Sequence, residues 1–368
     1  MPAVAPDRPD LLGTPWTGAV IDADLHVNPP SLEAIRPYLA RQWLEWIDET
    51  GFTAPASLVT KYPPGSSVTC AARWRPADGR TPASDLGLLQ EHVLDPLGVE
   101  RAVISCYWGQ DAIRNPDFAA ALARAMNDWL VDEWLDRDPR LRATAVVPSH
   151  NPADAAAEID RVGGHPGFVQ VFLPLWSPKL YGNRIWLPLF EAIERHDLVA
   201  GLHYGGSSEG ATTGTGWATW FLEEYVSALG MCWQQLTSMI CEGLFQRYPT
   251  LRVSLLETGF TWLAPFLWRL DKEWKGLRRE VPWVDRLPSD IFREHVKVAV
   301  QPIGAGPSPD DLARHVEWLG SDEILMFGSD YPHGHEHPVA TLLDVLPEAA
   351  RAKVMAGNAR AHYKLGDG

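Results

Sequence analysis

Short apolar runs closed by turn-forming or charged residues recur along the chain at 19–22, 101–106, 143–148, 167–174, 198–203, 252–257, 296–301 and 324–330. Runs of this length and composition read as buried parallel strands. Between most neighbours lie stretches with apolar residues at helical spacing, at 118–136, 153–162, 187–195 and 308–319. Strands alternating with helices predict an α/β fold with right-handed crossovers, and eight such units predict a closed (β/α)8 TIM barrel. An open doubly wound sheet is the structural rival, but no G-x-G-x-x-G follows a strand to give it a nucleotide site.

Two connections exceed an ordinary βα loop. Residues 28–98, after the first strand, are rich in Pro, Gly, Trp and Arg and predict an excursion over one face of the barrel. Residues 204–251, after the fifth, open with the glycine-rich GGSSEGATTGTG and pass into a helical stretch at 220–248. That loop fits a mobile segment or a phosphate cradle equally well. No internal repeat or low-complexity tract appears, so residues 1–368 are expected to form a single domain.

The polar residues that interrupt these runs fall at the predicted strand ends. In the first, VIDADLHVNPP places Asp24 and His26 two residues apart, on one side of an extended strand. His203 closes the fifth run, Glu257 the sixth, and Asp330 the last, in ILMFGSDYPH. Each has a bland alternative: a core histidine for His26 and His203, a turn or helix-capping aspartate for Asp330. Glu257 is harder to dismiss, because burying an unpaired carboxylate costs several kcal/mol or raises its pKa. In a closed barrel the ends of strands one, five, six and eight share one mouth. Imidazoles and carboxylates gathered there suit one divalent ion of the zinc, manganese or iron class.

Composition narrows the partners. The formal charge of −15 argues against nucleic acid and anionic membrane, and favours a small-molecule ligand. Seventeen tryptophans predict large buried or subunit-contact surfaces. Cys70, Cys106, Cys232 and Cys241 form no C-x-x-C pair and read as reduced thiols. The N-terminus lacks the features of a secretory peptide and no run of 18 apolar residues occurs, so a cytoplasmic protein is expected.

The D-x-H at Asp24 and His26, His203 after strand five, and SDYPH around Asp330 resemble the amidohydrolase superfamily. The resemblance is closest to its amidohydrolase-related branch, with aminocarboxymuconate semialdehyde decarboxylase and the γ-resorcylate and carboxyvanillate decarboxylases. It extends to LETGFTWLAPFLWRLDKEW and the closing GNARAHYKL. It implies Asp24, His26, His203 and Asp330 as ligands of one metal ion, Zn2+ or Mn2+, and a homodimer. Two departures stand out: Asp24 replaces a usual His or Glu, and Glu257 stands where the characterised decarboxylases generally have His. No lysine ends strand four, so the binuclear site of other superfamily members is not expected.

Further candidates surround this set. His333 is expected to line the pocket or orient Asp330, while His335 and His337 in HGHEH read as a solvated loop rather than a chelating pair. His150 is a candidate pocket residue, though a plain loop histidine is the more ordinary reading. A carboxylated substrate calls for a cationic or hydrogen-bonding partner, for which Arg73, Arg75, Arg80 and Arg269 are candidates. The resemblance implies a metal-dependent enzyme acting on a small aromatic or dienoic acid. It would work by non-oxidative decarboxylation or metal-hydroxide hydrolysis, with Asp330 or Glu257 moving the proton. A metal-free, non-catalytic barrel serving as a binding or scaffold protein is the alternative, and a phosphate site on the glycine-rich loop a third.

Overall fold

The computed structural model describes residues 12–55, 69–149, 151–206 and 213–366. Eight parallel strands lie side by side in chain order: β1 (Ile21–His26), β2 (Arg101–Ser105), β3 (Leu141–Ala145), β4 (Phe168–Pro174), β5 (Val199–His203), β6 (Arg252–Leu256), β7 (Val296–Ala299) and β8 (Leu325–Met326). The sheet then closes on itself. Ala23 N donates to Phe327 O at 2.9 Å, Asp330 N to Asp24 O at 2.9 Å, and His26 N to Tyr331 O at 2.8 Å. This is the (β/α)8 barrel that eight apolar runs predict, with helices such as Pro116–Leu130, Pro152–Val162, Leu187–Arg195 and Pro309–Leu319 on its outside.

Local chemistry sets the helix ends. Asn115, Asn151 and Ser308 each accept a backbone N–H from the first turn of the helix that follows, and each is followed by Pro, whose missing N–H costs nothing there. The long helix expected over 220–248 is instead two, Phe221–Cys241 and Leu244–Arg247. Gly243, at φ 73°, breaks it, and a Cβ there would meet the Trp283 ring at 2.5 Å.

Both ends of the expected strand pattern move where the site is built. β1 runs to His26, so Asp24 and His26 lie within the strand, and its register against β2 slips between Asp22 and Leu25. An extra residue of this kind is a β-bulge, which re-aims side chains. At the other end β8 stops at Met326, well short of Asp330. Phe327 N donates to Val354 O at 2.7 Å, and the chain turns through Asp330 at φ 54°, a left-handed conformation no strand contains.

The barrel interior is polar below the site. Ser105 and Thr144 hydroxyls lie 3.0 Å apart, Gln170 Nε2 donates to Thr144 at 3.0 Å, and Tyr363 OH donates to Gln170 at 2.9 Å while lying 2.9 Å from Ser254 Oγ. Tyr363 thus ties β4 to β6 across the barrel, and buried polar groups are satisfied among themselves.

Candidate metal centre

Side chains from β1, β5, β6 and the turn after β8 converge at the carboxyl-end mouth. Two sets of ligand-type atoms lie within 4.8 Å of one another: Asp24, His26 and His203, and His26, Glu257, Asp330 and His333. His26 belongs to both. The four residues expected to hold the ion are therefore linked through His26, with Asp24 and His203 in one set and Asp330 in the other. Asp24, His203 and Asp330 are almost wholly buried.

The hydrogen bonds fix tautomers and leave atoms open. His203 Nδ1 donates to Tyr204 O at 2.6 Å, so its Nε2 faces Asp24 Oδ1 at 3.5 Å, too far for a good hydrogen bond but close enough for charge attraction. Asp330 Oδ1 accepts from His26 Nε2 at 2.9 Å and from His333 Nδ1 at 3.0 Å, and His335 Nε2 stands 2.9 Å from Oδ2. Both Asp24 oxygens and His203 Nε2 are buried without a hydrogen-bond partner. Leaving charged groups in that condition costs several kcal/mol, which a cation among them would offset. The donor set, imidazole plus carboxylate, suits zinc or manganese.

Electrostatics divides the carboxyls. Burial works against the charge on Asp330, but charged His333 and hydrogen bonds from His26, His333 and His335 hold its pKa well below the usual range. Burial, reinforced by the Asp330 charge, raises Glu257 to about 8. Burial also opposes the charge on His203 and His333, yet neighbouring carboxylates raise them to about 9 and about 10. His26, with burial dominant, is lowered. Glu257 and Asp330 both have left-handed backbone, at φ 52° and 54°, strain on the order of 1–3 kcal/mol each.

Above these residues opens a cavity of about 680 Å³. Both long excursions supply its walls: Leu32, Ala54 and Pro82 from the first, Tyr204, Phe221 and Tyr225 from the second. Tyr107 and Trp108, after β2, complete an aromatic lining, and Tyr107 stacks on Phe172 at 5.1 Å.

Some expected residues lie elsewhere. Arg269 is three-quarters exposed and pairs with Glu273 at 2.8 Å along its own helix, away from this cavity. Arg80 pairs with Asp78 and Asp85, and Arg75 is exposed. Arg73 packs 4.8 Å over the Trp74 ring and lines a second cavity of about 460 Å³. No Arg or Lys lines the main cavity among the described residues. His150 and residues 207–212 of the glycine-rich stretch lie outside the described residues.

Two contributors escape the sequence reading. His335, expected in solvent, approaches Asp330 and lines both cavities; its i, i+2 spacing from His333 was the available signal. Tyr225, whose hydroxyl donates to Glu257 Oε1 at 3.3 Å, carries no signal in a helix otherwise apolar on that side.

A parallel eight-stranded barrel with imidazoles and carboxylates at its carboxyl-end mouth defines the class of metal-dependent barrel hydrolases and lyases. The chain belongs within that class to the amidohydrolase family, whose sequence profile matches residues 21–365, and it is an enzyme of that family. The γ-resorcylate decarboxylase of Polaromonas sp. (strain JS666) is 25% identical over 291 residues, 74% of this chain and 86% of that protein. The solved 5-carboxyvanillate decarboxylase of Sphingomonas paucimobilis superposes with a TM-score of 0.67 at 23% identity, over 95% of this chain and all of that one. A dihydroxybenzoic acid decarboxylase of Polaromonas sp. JS666, solved with manganese and 2-nitroresorcinol, gives 0.66 at 20% identity, over 96% of this chain and 98% of that one.

Proposed function

We propose that this chain is a metal-dependent carboxy-lyase that removes carbon dioxide from a hydroxylated aromatic acid. The observation that carries the reading is the convergence of unpartnered, buried Asp24 and His203 atoms and the buried Asp330 carboxylate around His26 beneath an aromatic-walled cavity. The names of the similar proteins support the substrate class.

Asp24, His26, His203 and Asp330 would hold one divalent ion, Mn2+ or Zn2+. Such an ion supplies Lewis-acid charge against the substrate's carboxylate and adjacent hydroxyl oxygens. The protein's own residues do the rest. Tyr107, Trp108 and Tyr204 offer aromatic surface for the flat ring to pack against. Glu257, kept protonated by burial and held by the Tyr225 hydroxyl, delivers its proton to the ring carbon that bears the carboxylate. The bond to the carboxylate then breaks, its electron pair restores the aromatic ring, and carbon dioxide leaves. Asp330, held ionised, keeps His26 and His333 oriented, so the opposed pKa shifts leave Glu257 as the acid and Asp330 as the charged anchor.

No helix among the described residues is long and apolar enough to cross a membrane. Exposed Trp217, Trp220 and Val226 are apolar surface that suits a homodimer contact, and the four free thiols suit a cytoplasmic enzyme.

The test is to incubate manganese-loaded protein with γ-resorcylate and 5-carboxyvanillate and to measure released carbon dioxide and the decarboxylated phenol. Turnover that disappears on chelation and returns with manganese is expected. Turnover unaffected by complete metal removal, or hydrolysis of esters and amides alone, would overturn the reading.

A further inference from the structure

The cavity over the metal centre divides by chemistry. Its floor is built from strand ends and the turn after β8: His26, His203, Glu257, His333 and His335. Its outer walls come from the two excursions and are mainly apolar, with Pro30, Leu32 and Pro82 from one and Phe221 and Leu222 from the other, interrupted by the hydroxyls of Ser31, Thr53, Thr69 and Thr81. Leu222 at the mouth is 71% exposed, whereas His203 on the floor is 1% exposed. A volume of about 680 Å³ falls in the range of drug-sized ligands, well beyond a single substituted ring.

Resting on the carboxy-lyase reading, we propose that the physiological substrate is amphipathic: an aromatic acid carrying an apolar substituent on the ring edge remote from its carboxylate. The carboxylate end faces the histidines and carboxylates of the floor, so the opposite edge points out between the Leu32 and Phe221 walls. An alkyl or aryl group there covers Leu32, Pro82 and Phe221, and reaches Leu222 at the mouth. Each fully buried methylene is worth about fourfold in affinity, so the walls convert substituent length into selectivity. A second carboxylate at that edge would lose its water without a cationic partner, since no Arg or Lys lines the cavity among the described residues.

The experiment uses manganese-loaded full-length protein and a series of 2,6-dihydroxybenzoates bearing hydrogen, methyl, propyl or pentyl at carbon 4. Both kcat/KM for carbon dioxide release and Kd by calorimetry are measured. Affinity and kcat/KM are expected to rise at least tenfold from hydrogen to propyl, and Phe221→Ser or Leu222→Asp to cut the pentyl-to-hydrogen ratio at least threefold. A flat or rising Kd along the series, or an unchanged ratio in both variants, overturns the proposal. Tightening Kd with no turnover of any member sustains the ligand shape and overturns the carboxy-lyase reading instead.

Discussion

His26 Nε2 donates to Asp330 Oδ1 across 2.9 Å, although 304 residues separate the two in the chain. The contact exists because the turn after β8 is stitched to β1 by the main chain, Asp330 N to Asp24 O and His26 N to Tyr331 O. Closure of the barrel and assembly of the site are therefore one event. Asp330→Asn keeps the shape and removes the charge, and manganese affinity is expected to fall at least a hundredfold. Metal content after dialysis, read by mass spectrometry, checks it; unchanged stoichiometry would remove Asp330 from the ligand set.

Protons and the cation compete for the same atoms. His203 is raised to about 9 in the metal-free protein, so at neutral pH its imidazole carries a proton that a ligand must shed. Manganese affinity is accordingly expected to strengthen as pH rises from 6 to 9, with protons released on binding. Calorimetry in buffers of different ionisation enthalpy measures that release; its absence would show His203 outside the coordination sphere.

Tyr225 donates to Glu257 from a helix of the second excursion, while Glu257 alone sits at the end of β6. Tyr225→Phe keeps the ring against Tyr204 and deletes the bond. The expected result is a roughly tenfold loss of kcat, with KM and metal content within twofold of the parent. A change confined to KM would make Tyr225 a substrate contact instead.

Gly328 gives Asp24 its room. A Cβ at 328 would meet Asp24 Cβ at 2.8 Å and Ala299 Cβ at 3.2 Å, inside a wall that cannot yield easily. Gly328→Ala is expected to cost about 1–3 kcal/mol of stability by overpacking. It should also weaken manganese binding, because Asp24 is displaced. Urea unfolding with and without metal separates the two effects; a variant with normal metal affinity would place Asp24 outside the site.

Acid sensitivity should trace to the floor of the barrel. His362 is buried beside Ser254, and burial first, then the charges of Arg252 and Lys297, hold its pKa well below the free value. The native state keeps it neutral while the unfolded chain takes up a proton below about pH 6.5. The unfolded state thus binds more protons, and stability falls with falling pH by about 1.4 kcal/mol per unit from this group. His362→Asn is expected to be less stable at pH 7 yet to lose less between pH 6.5 and 5, measured by urea unfolding. An identical slope would assign the acid loss to His26, whose shift has the same sign.

The order of eight strands, the helices between them and the residues Asp24, His26, His203, Glu257 and Asp330 were legible in the chain. Apolar periodicity is local, and a polar residue closing an apolar run is conspicuous wherever the fold puts it. The strand limits were less so: β1 extends through His26 and β8 stops at Met326, because pairing across the closure decides where a ladder ends. A candidate arginine in sequence has no direction; Arg269 turned to Glu273 and Arg73 to Trp74, the partners within reach on their own segments.

His335 shows the same limit from the other side. In sequence it is one histidine in a polar loop, and only the left-handed turn at Asp330 brings it back within 2.9 Å of Oδ2. What the sequence by itself determined was an inventory: which strands exist and which chemistry each carries at its end. What the tertiary structure decided was company, meaning which carboxylate each histidine faces and which wall covers the cavity. Periodicity acts over neighbouring residues, whereas facing across a barrel mouth depends on closure between its first and last strands.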